Sequence, residues 1–318
     1  EESGRLVGIM GASGAGKSTL LGVLNGMNRP DSGVVLINGV NIHDEAEKVK
    51  GLIGFVSQDD LLIEELTVFD NLFYNAKLCF GNLNDAEITR KVEDVLHSLG
   101  LYEIKDMKVG TPLNKKISGG QRKRLNISLE LIREPSVLLL DEPTSGLSSL
   151  DSENILDLLN DLKLKGKLIF VVIHQPSSDI FKMFDKLIFL DTGGHMIYYG
   201  IPVGSIEYFK DRMQLPKYND SECPACGNVN PEQIFSIVES KVLDEFGRPT
   251  KTRKISPAEW SAYFKTSREE TGPQPEPVSV IPEITLKTPN KLKQFIVFMK
   301  RDILSKLSDL QYLVITLL

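Results

Sequence analysis

Short apolar runs alternate with amphipathic stretches over most of this chain. The runs are rich in β-branched residues and end at turn residues, which is typical of buried strands. They predict strands at residues 6–10, 34–37, 54–57, 137–140, 169–173 and 187–190. Apolar residues at helical spacing predict helices at 17–26, 88–99, 125–132 and 155–162. This alternation predicts an α/β fold with a largely parallel sheet.

The same pattern divides the chain into regions. Residues from about 62 to 135 contain no comparable strand run, so we expect a helical insertion there. After Gly200 the periodicity weakens to helical fragments. We therefore assign a main domain to residues 1–210, a C-terminal extension to 211–266, a proline-rich linker to 267–290 and a basic amphipathic helix to 291–318.

The last of these regions carries apolar and basic side chains at helical spacing. Its apolar members are Phe295, Ile296, Phe298, Met299, Ile303, Leu304 and Leu307, with lysines and an arginine between them. Such a helix is typical of the cytoplasmic face of a membrane. Packing on its own domain or on a partner is the alternative. Residues 310–318 become apolar, which favours the start of a membrane segment, and we expect a longer chain on both sides.

Composition narrows the class of protein. The 318 residues are 41% hydrophobic and 25% charged, which suits one large core with an appendage or two domains. The net charge of −6 argues against a general nucleic-acid-binding surface. Three cysteines fit a reducing compartment rather than a disulfide framework. Cys223 and Cys226 have the spacing of half a zinc site, and a tight turn with free thiols is the alternative.

A glycine-rich segment between the first predicted strand and helix has the form G-x-x-x-x-G-K-[ST]. We call residues 11–18 the phosphate loop, because glycines there let backbone N–H groups face phosphate oxygens. Lys17 would neutralise phosphate charge and Ser18 would bind Mg²⁺. The candidate nucleotide-binding residues are Gly11, Ser13, Gly14, Ala15, Gly16, Lys17, Ser18 and Thr19.

Polar residues follow three of the predicted strands. Asp141 and Glu142 end an apolar strand, where paired carboxylates need water, a cation or a partner. Asp141 is placed to hold Mg²⁺ and Glu142 to polarise the attacking water. Gln58 could bind Mg²⁺ or orient water, and His174 could reach the γ-phosphate. Gln58 as an ordinary polar loop residue and His174 as a capped histidine are the alternatives. Ligands of open α/β sheets bind at these strand ends, which favours a common site that contains both residues.

Residues 118–121, Ser-Gly-Gly-Gln, precede a predicted helix and form what we call the signature segment. Ser118, Gly119, Gly120 and Gln121 predict a second anion-binding helix start, remote in sequence from the phosphate loop. Such a pair of sites indicates a nucleotide clamped between two copies of the protein. The basic residues 122–124 that follow are interpreted as a solvated helix face or as charge near phosphates.

These elements occur in the order and approximate spacing of the ATP-binding cassette. The chain resembles an ABC transporter nucleotide-binding domain over residues 1 to about 210. Residues 141–147, 174–178, 184–187 and 197–200 resemble the G subfamily, the white-pigment and multidrug half-transporter type. In that family the ATPase precedes its membrane domain.

The resemblance implies a P-loop NTPase core of the ABC type that uses ATP and Mg²⁺ at the cytoplasmic face of a membrane. ATP-driven dimerisation would power transport, with a transmembrane domain following in the same chain and no nucleic acid as partner. A second ATPase domain would pair head to tail. Ser118 and Gly120 of one copy would then cap the γ-phosphate held by Lys17 of the other.

Two departures from the family pattern bear on this expectation. The family usually carries Asp where Ser148 stands, in the loop that communicates across the dimer, and Asp151 lies three residues later. The aromatic residue that stacks on adenine would precede the residues present here.

Two other functions remain open at this point. One is a soluble ABC ATPase that acts on nucleic acid or ribosomes, although such proteins typically carry a coiled-coil insertion or a second cassette. The other is a regulatory module that binds ATP with little turnover, which Ser148 suggests because the family usually has Asp at that position.

Overall fold

A six-stranded sheet forms the centre of the protein in this computed structural model, which describes residues 1–111, 114–213, 229–269, 286–309, 313 and 316. Its strands, in chain order, are β1 (Arg5–Gly11), β4 (Ile53–Val56), β5 (Val137–Asp141), β6 (Leu168–Val172), β7 (Lys186–Asp191) and β8 (His195–Gly200), with a separate hairpin of β2 (Leu36–Ile37) and β3 (Val40–Asn41). The spatial order is β4-β5-β6-β1-β7-β8. All neighbours are parallel except β8, which runs antiparallel to β7. The predicted α/β fold with a largely parallel sheet is confirmed.

Both faces of the sheet are buried because alternate side chains along each strand enter different hydrophobic clusters. On β1, Leu6 and Met10 belong to one cluster, whereas Val7 and Ile9 belong to the other. The second cluster packs against α1 (Lys17–Leu24) through Leu21. The first cluster packs against helices that include α5 (Ser149–Leu164) and α6 (Ser178–Lys182). Nearly continuous apolar strands are what such a doubly covered parallel sheet requires.

Among the described residues, three α-helices lie between β4 and β5. They are α2 (Val68–Cys79), α3 (Asp85–Ser98) and α4 (Gly119–Leu131). Each begins at a side-chain cap, supplied by Thr67, Asn84 and Ser118. The local sequence therefore determines where these helices start, and α4 begins within the signature segment.

Two strand predictions differ from the structure. Residues 34–37 were expected to form a strand of the sheet, but Val34 is exposed and only β2 and β3 pair, around the Asn38-Gly39 turn. Both turn residues have positive φ, which is the geometry of a tight two-residue hairpin. The strand β8 was not predicted, since its antiparallel pairing depends on the turn at Gly193 and Gly194.

The residues after β8 pack on the same core. They form α7 (Pro202–Arg212), α8 (Glu232–Val238), the hairpin of β9 (Lys241–Leu243) and β10 (Pro249–Arg253), and α9 (Pro257–Glu269). Trp260 of α9 is fully buried and lies edge-on to Phe209 of α7, with ring centroids 5.2 Å apart. The predicted boundary at residue 210 remains a prediction, and Cys223 and Cys226 lie outside the described residues.

The final helix, α10 (Lys291–Ser308), packs beside α2. The chain enters it over the helical region, where the Gly81 N–H donates to the Lys287 carbonyl at 2.6 Å. Most of the predicted linker (270–285) and most of the apolar stretch 310–318 lie outside the described residues. In the part of the chain that is described, no helix combines the length and apolar composition needed to cross a membrane.

Candidate functional site

Three chain segments with candidate chemistry meet at one edge of the sheet. Strands β1, β5 and β6 are parallel neighbours in the order β5-β6-β1, so their carboxyl ends coincide. Asp141 pairs in register with Val172, which pairs with Ile9 of β1. The phosphate loop, the pair Asp141 and Glu142, and His174 follow directly after these positions. The structure therefore brings together residues that are far apart in sequence.

Glycines shape the phosphate loop. Gly14 and Gly16 have φ of 76° and 92°, in the left-handed region that other residues rarely adopt. A Cβ at Gly11 would collide with the Leu190 carbonyl oxygen of β7. Ala15 is buried, while Ser13, Ser18 and Thr19 are exposed where the loop enters α1. The loop is therefore held closely against β7 at Gly11, while part of it stays exposed to solvent.

Lys17 is buried at the centre of this loop. Its Nζ donates to the Gly11 carbonyl at 2.9 Å and to the Ala12 carbonyl at 3.0 Å. Burial lowers the pKa of Lys17, and the negative charges of Glu142 and Asp141 oppose that shift. A buried ammonium beside two carboxylates can exchange its carbonyl partners for phosphate oxygens without a large movement.

Asp141 has the features of a cation ligand. Its side chain is almost fully buried, and Oδ1 has no hydrogen-bond partner among the described residues. A buried ionised carboxylate without a partner is costly, and a bound cation removes that cost. The donor set therefore fits Mg²⁺, which prefers carboxylate and hydroxyl oxygens together with phosphate. Ser18, at the start of α1, is the hydroxyl that the sequence assigns to the same ion.

Glu142 and His174 are in direct contact. The distance from His174 Nε2 to Glu142 Oε1 is 2.8 Å, and the histidine is the more exposed of the two. Glu142 has φ of 49°, which costs about 1–3 kcal/mol for a non-glycine residue and is common at active sites. The Glu142 N–H donates to the Val172 carbonyl at 3.2 Å and holds the turn. The strained turn aims the carboxylate away from the strand and toward His174.

A cleft of about 340 Å³ opens beside this pair. It lies between the loop that follows Glu142 and the loop that follows His174, and Ser145, Ser149 and Ser177 contribute to its lining. The cleft leaves room for water next to the Glu142 carboxylate.

Gln58 lies in the loop after β4, with an exposed side chain. Its carbonyl oxygen accepts a hydrogen bond from Lys123 Nζ at 2.6 Å, and burial lowers the pKa of that lysine. Two residues later, Asp60 accepts from Arg122 Nε at 2.9 Å. The structure thus ties the Gln58 loop to the helix that begins at the signature segment.

This connection corrects the interpretation of residues 122–124 as a solvated face. Arg122 is buried and its guanidinium faces Asp60, Glu64 and the Gly110 carbonyl. A buried guanidinium needs several acceptors, and these come from segments distant in sequence. Sequence reasoning could not identify that role because the run Arg-Lys-Arg has the same composition as an exposed helix face.

The signature segment forms a complete capping box at the start of α4. Ser118 Oγ accepts from the Gln121 N–H at 3.1 Å, and Gln121 Oε1 accepts from the Ser118 N–H at 2.7 Å. Ser118 is exposed, and its hydroxyl hydrogen remains available for a further acceptor. The segment presents a helix N-terminus at the surface.

The loop after Glu142 lies against this helix start. A Cβ on Gly119 would meet Leu147, and a Cβ on Gly120 would lie 2.8 Å from Asp151 Oδ1. Ser148 caps α5, because its Oγ accepts from the Asp151 N–H at 3.1 Å and also contacts Asp151 Oδ2 at 2.9 Å. Ser148 therefore performs the local capping role for which aspartate is equally suited.

Comparison with known proteins agrees with this arrangement. A family model described as ABC transporter matches residues 2–145, and a second, described as ABC-2 type transporter, matches residues 174–224. The chain is 45% identical to ABC transporter G family member 28 of Arabidopsis thaliana over 82% of its length. It is 35% identical to G family member 22 of the same organism over 91% of its length.

A solved structure described as the ADP conformation of an ATP-binding cassette of an ABC transporter aligns with a TM-score of 0.55 and 27% identity. The alignment covers 63% of this chain and 81% of that structure. By contrast, the chain spans only 23% and 39% of the two Arabidopsis relatives. The alignment with the solved structure thus covers most of this chain, whereas the chain corresponds to a minor part of those full-length relatives.

Proposed function

The chain belongs to the ABC transporter family as an ATPase domain with G-family relatives, and from this premise we propose that two copies hydrolyse ATP in shared sites to drive transport. The observation that carries the proposal is the contact between Glu142 and His174 beside Lys17 and Asp141. It combines a phosphate-binding cation, a cation ligand and a general base at one edge of the sheet.

Binding begins at the phosphate loop. Backbone N–H groups of the loop and the Lys17 ammonium take the β- and γ-phosphates, and the lysine leaves the carbonyls that it bonds in this structure. Ser18 and Asp141 would hold Mg²⁺, with Gln58 as a further candidate ligand. When bound, Mg²⁺ neutralises charge that develops on the phosphates during transfer.

Glu142 acts on the attacking water. Its carboxylate accepts a proton from a water molecule in the adjacent cleft, and the water oxygen attacks the γ-phosphorus in line. The bond from the γ-phosphorus to the β,γ-bridging oxygen breaks, so that ADP leaves and inorganic phosphate forms. His174 Nε2, 2.8 Å from Glu142 Oε1, donates to the same carboxylate and orients it. Direct contact of His174 with the γ-phosphate stays a prediction. The strained backbone at Glu142 supports this assignment.

The second copy supplies the signature segment. Within one chain, the Ser118 and Gln121 side chains form the capping box at the start of α4, and Ser118 remains exposed. An exposed helix N-terminus attracts a phosphate through its N–H groups and dipole. A head-to-tail pair would place this helix start on the γ-phosphate held by Lys17 of the other copy.

A membrane domain is the proposed partner for transport. The relatives are transporters by name, and α10 exposes apolar side chains, between 41% and 69% exposed, at Leu292, Phe295, Ile296, Phe298, Met299, Ile303 and Leu307. Apolar area of this extent is typical of a surface that meets a membrane or a membrane protein. We place the ATPase at the cytoplasmic face, where ATP is available.

Glu142→Gln tests the proposal directly. The amide keeps the shape of the side chain but cannot accept the proton, so we expect the hydrolysis rate to fall by about a thousandfold while ATP still binds. ATP and Mg²⁺ should then trap a dimer, measured by light scattering after size exclusion. Hydrolysis at the wild-type rate would rule out Glu142 as the base.

The dependence of hydrolysis on protein concentration separates the proposal from the two alternatives. A shared site predicts that the rate rises faster than linearly at low concentration, whereas a regulatory module with little turnover predicts a negligible rate throughout. Stimulation by RNA or DNA would favour the soluble ATPase that acts on nucleic acid or ribosomes.

A further inference from the structure

The turn between β7 and β8 lies directly behind the phosphate loop. Gly11 pairs in register with Leu190, and a Cβ on Gly16 would lie 3.7 Å from the Gly194 Cα. The end of β7 at Leu190 and the turn at Gly194 therefore lie against the two ends of the phosphate loop. A shift of this turn would move the loop, because the contacts between them are backbone to backbone and leave no side chain to absorb it.

Asp191 fixes the conformation of that turn. Its Oδ1 accepts from the Thr192 N–H at 2.7 Å, and its carbonyl accepts from the Gly194 N–H at 3.1 Å. Gly193 and Gly194 have φ of 84° and 76°, so the turn depends on these bonds for a conformation that few residues adopt. The Asp191 side chain is only 1% exposed. Its charge must be balanced from within the protein.

The balancing charge comes from the C-terminal extension. Arg253 Nη1, at the end of β10, lies 2.8 Å from Asp191 Oδ1 and 2.9 Å from Oδ2. The two residues are 62 positions apart, and β10 pairs with β9 in a two-stranded hairpin outside the central sheet. The hairpin thus places a guanidinium against the carboxylate that shapes the support of the phosphate loop.

We infer that Arg253 is a positioning residue for nucleotide binding, through which docking of the β9–β10 hairpin and ATP binding are coupled. The inference rests on the proposed nucleotide site at the phosphate loop. Arg253 touches neither phosphate nor metal in this arrangement, and it acts on the loop through Asp191 and the glycine turn. Because linkage is reciprocal, ATP must stabilise the hairpin by the same factor that the hairpin contributes to ATP affinity.

The test compares two ion pairs at opposite ends of β7. Arg253→Ala removes the pair behind the phosphate loop, and Lys163→Ala removes the pair of Lys163 with Asp185, 3.4 Å apart at the other end of the strand. We expect the Kd for ATP to rise about tenfold in Arg253→Ala and to stay within about twofold of wild type in Lys163→Ala. Arg253→Lys, which keeps the charge, should recover part of the loss.

The hydrolysis rate at saturating ATP separates positioning from loss of fold. In Arg253→Ala we expect KM to rise while kcat changes little, since Glu142 and His174 lie in the loops after β5 and β6, away from the turn that Asp191 holds. An ATP affinity equal to wild type in a folded Arg253→Ala would overturn the inference. Absence of ATP binding by the wild-type chain would instead overturn the proposed function.

Hydrogen exchange on the wild-type chain gives a measurement that does not depend on any variant folding. ATP should slow amide exchange at residues 249–253 and 192–194 along with the phosphate loop. Protection of the phosphate loop with unchanged exchange at residues 249–253 would contradict the coupling.

Discussion

The phosphate loop and the signature segment are both glycine-containing helix starts, yet they differ in what the rest of the chain does for them. The phosphate loop packs against β7, and its buried Lys17 lies near the carboxylates of Asp141 and Glu142. The signature segment satisfies itself through a capping box and stands exposed. The phosphate loop lies in a site whose other residues come from the same chain, whereas the signature segment lies on the surface of the protein.

This difference explains why a single chain holds only part of the proposed site. An anion at the phosphate loop meets a cation, a metal ligand and a base from the same chain. An anion at Ser118 would meet the helix N–H groups and the Ser118 hydroxyl, and the helix N-terminus attracts it by about 1 kcal/mol at an exposed position. We therefore expect the signature segment to contribute appreciably only when a partner brings a phosphate to it and excludes water.

Lys17→Ala removes the lysine of the phosphate loop and should have the largest effect on ATP binding and hydrolysis among the variants considered. Loss of a charged hydrogen-bond donor to phosphate lowers ATP affinity by about a hundredfold and removes measurable hydrolysis. Titration with a fluorescent ATP analogue measures the affinity, and Lys50→Ala, an exposed lysine outside the site, is the control. Normal affinity in Lys17→Ala would contradict the assignment of the phosphate loop.

Ser118→Leu changes the exposed signature segment and should lower the rate of ATP hydrolysis without changing the affinity for ATP. We expect the hydrolysis rate to fall about thirtyfold, because the side chain blocks the helix start from a partner's phosphate, whereas ATP affinity of the single chain is unchanged. The matched control is Asn84→Leu, which removes the corresponding capping box from α3. Both variants should lose about 1 kcal/mol of stability, and only Ser118→Leu should lose activity. Equal losses of activity in Ser118→Leu and Asn84→Leu would show that Ser118 acts only as a helix cap.

Mixing the Lys17→Ala and Ser118→Leu variants tests whether two copies share one site. A dimer of Lys17→Ala with Ser118→Leu contains one site in which both halves are intact. Random pairing makes about half of the dimers mixed, so activity should recover to about a quarter of wild type. A site built within one chain predicts no recovery on mixing.

Ser148→Ala should have the smallest effect. It removes the cap of α5 and should lower the free energy of unfolding by about 1 kcal/mol, measured with urea. Ser148→Asn keeps an accepting oxygen without adding charge beside Asp151, and its stability should match wild type. A loss of hydrolysis larger than the stability loss in Ser148→Ala, with rescue by asparagine, would extend the role of Ser148 to the dimer.

Much of the sheet could be predicted because its strands are buried on both faces and read as apolar runs. Where burial is partial the prediction was wrong or missing, as for residues 34–37, which form part of a small hairpin, and for β8 at the sheet edge. The candidate site divides in the same way. Lys17 and Glu142 were predicted from local spacing, whereas the buried pairing of Arg122 with Asp60 was not.

The sequence by itself determined the α/β class and the residues of the phosphate loop, because glycine placement and apolar periodicity act over a few neighbouring residues. Only the tertiary structure decided that Glu142 meets His174, that Arg122 is buried and that Arg253 reaches Asp191. Glu142 and His174 are 32 positions apart in the sequence. Asp60 and Arg122 are 62 positions apart, and so are Asp191 and Arg253. A charge pattern along the chain carries no record of such partners, since packing of the sheet and its helices brings them together.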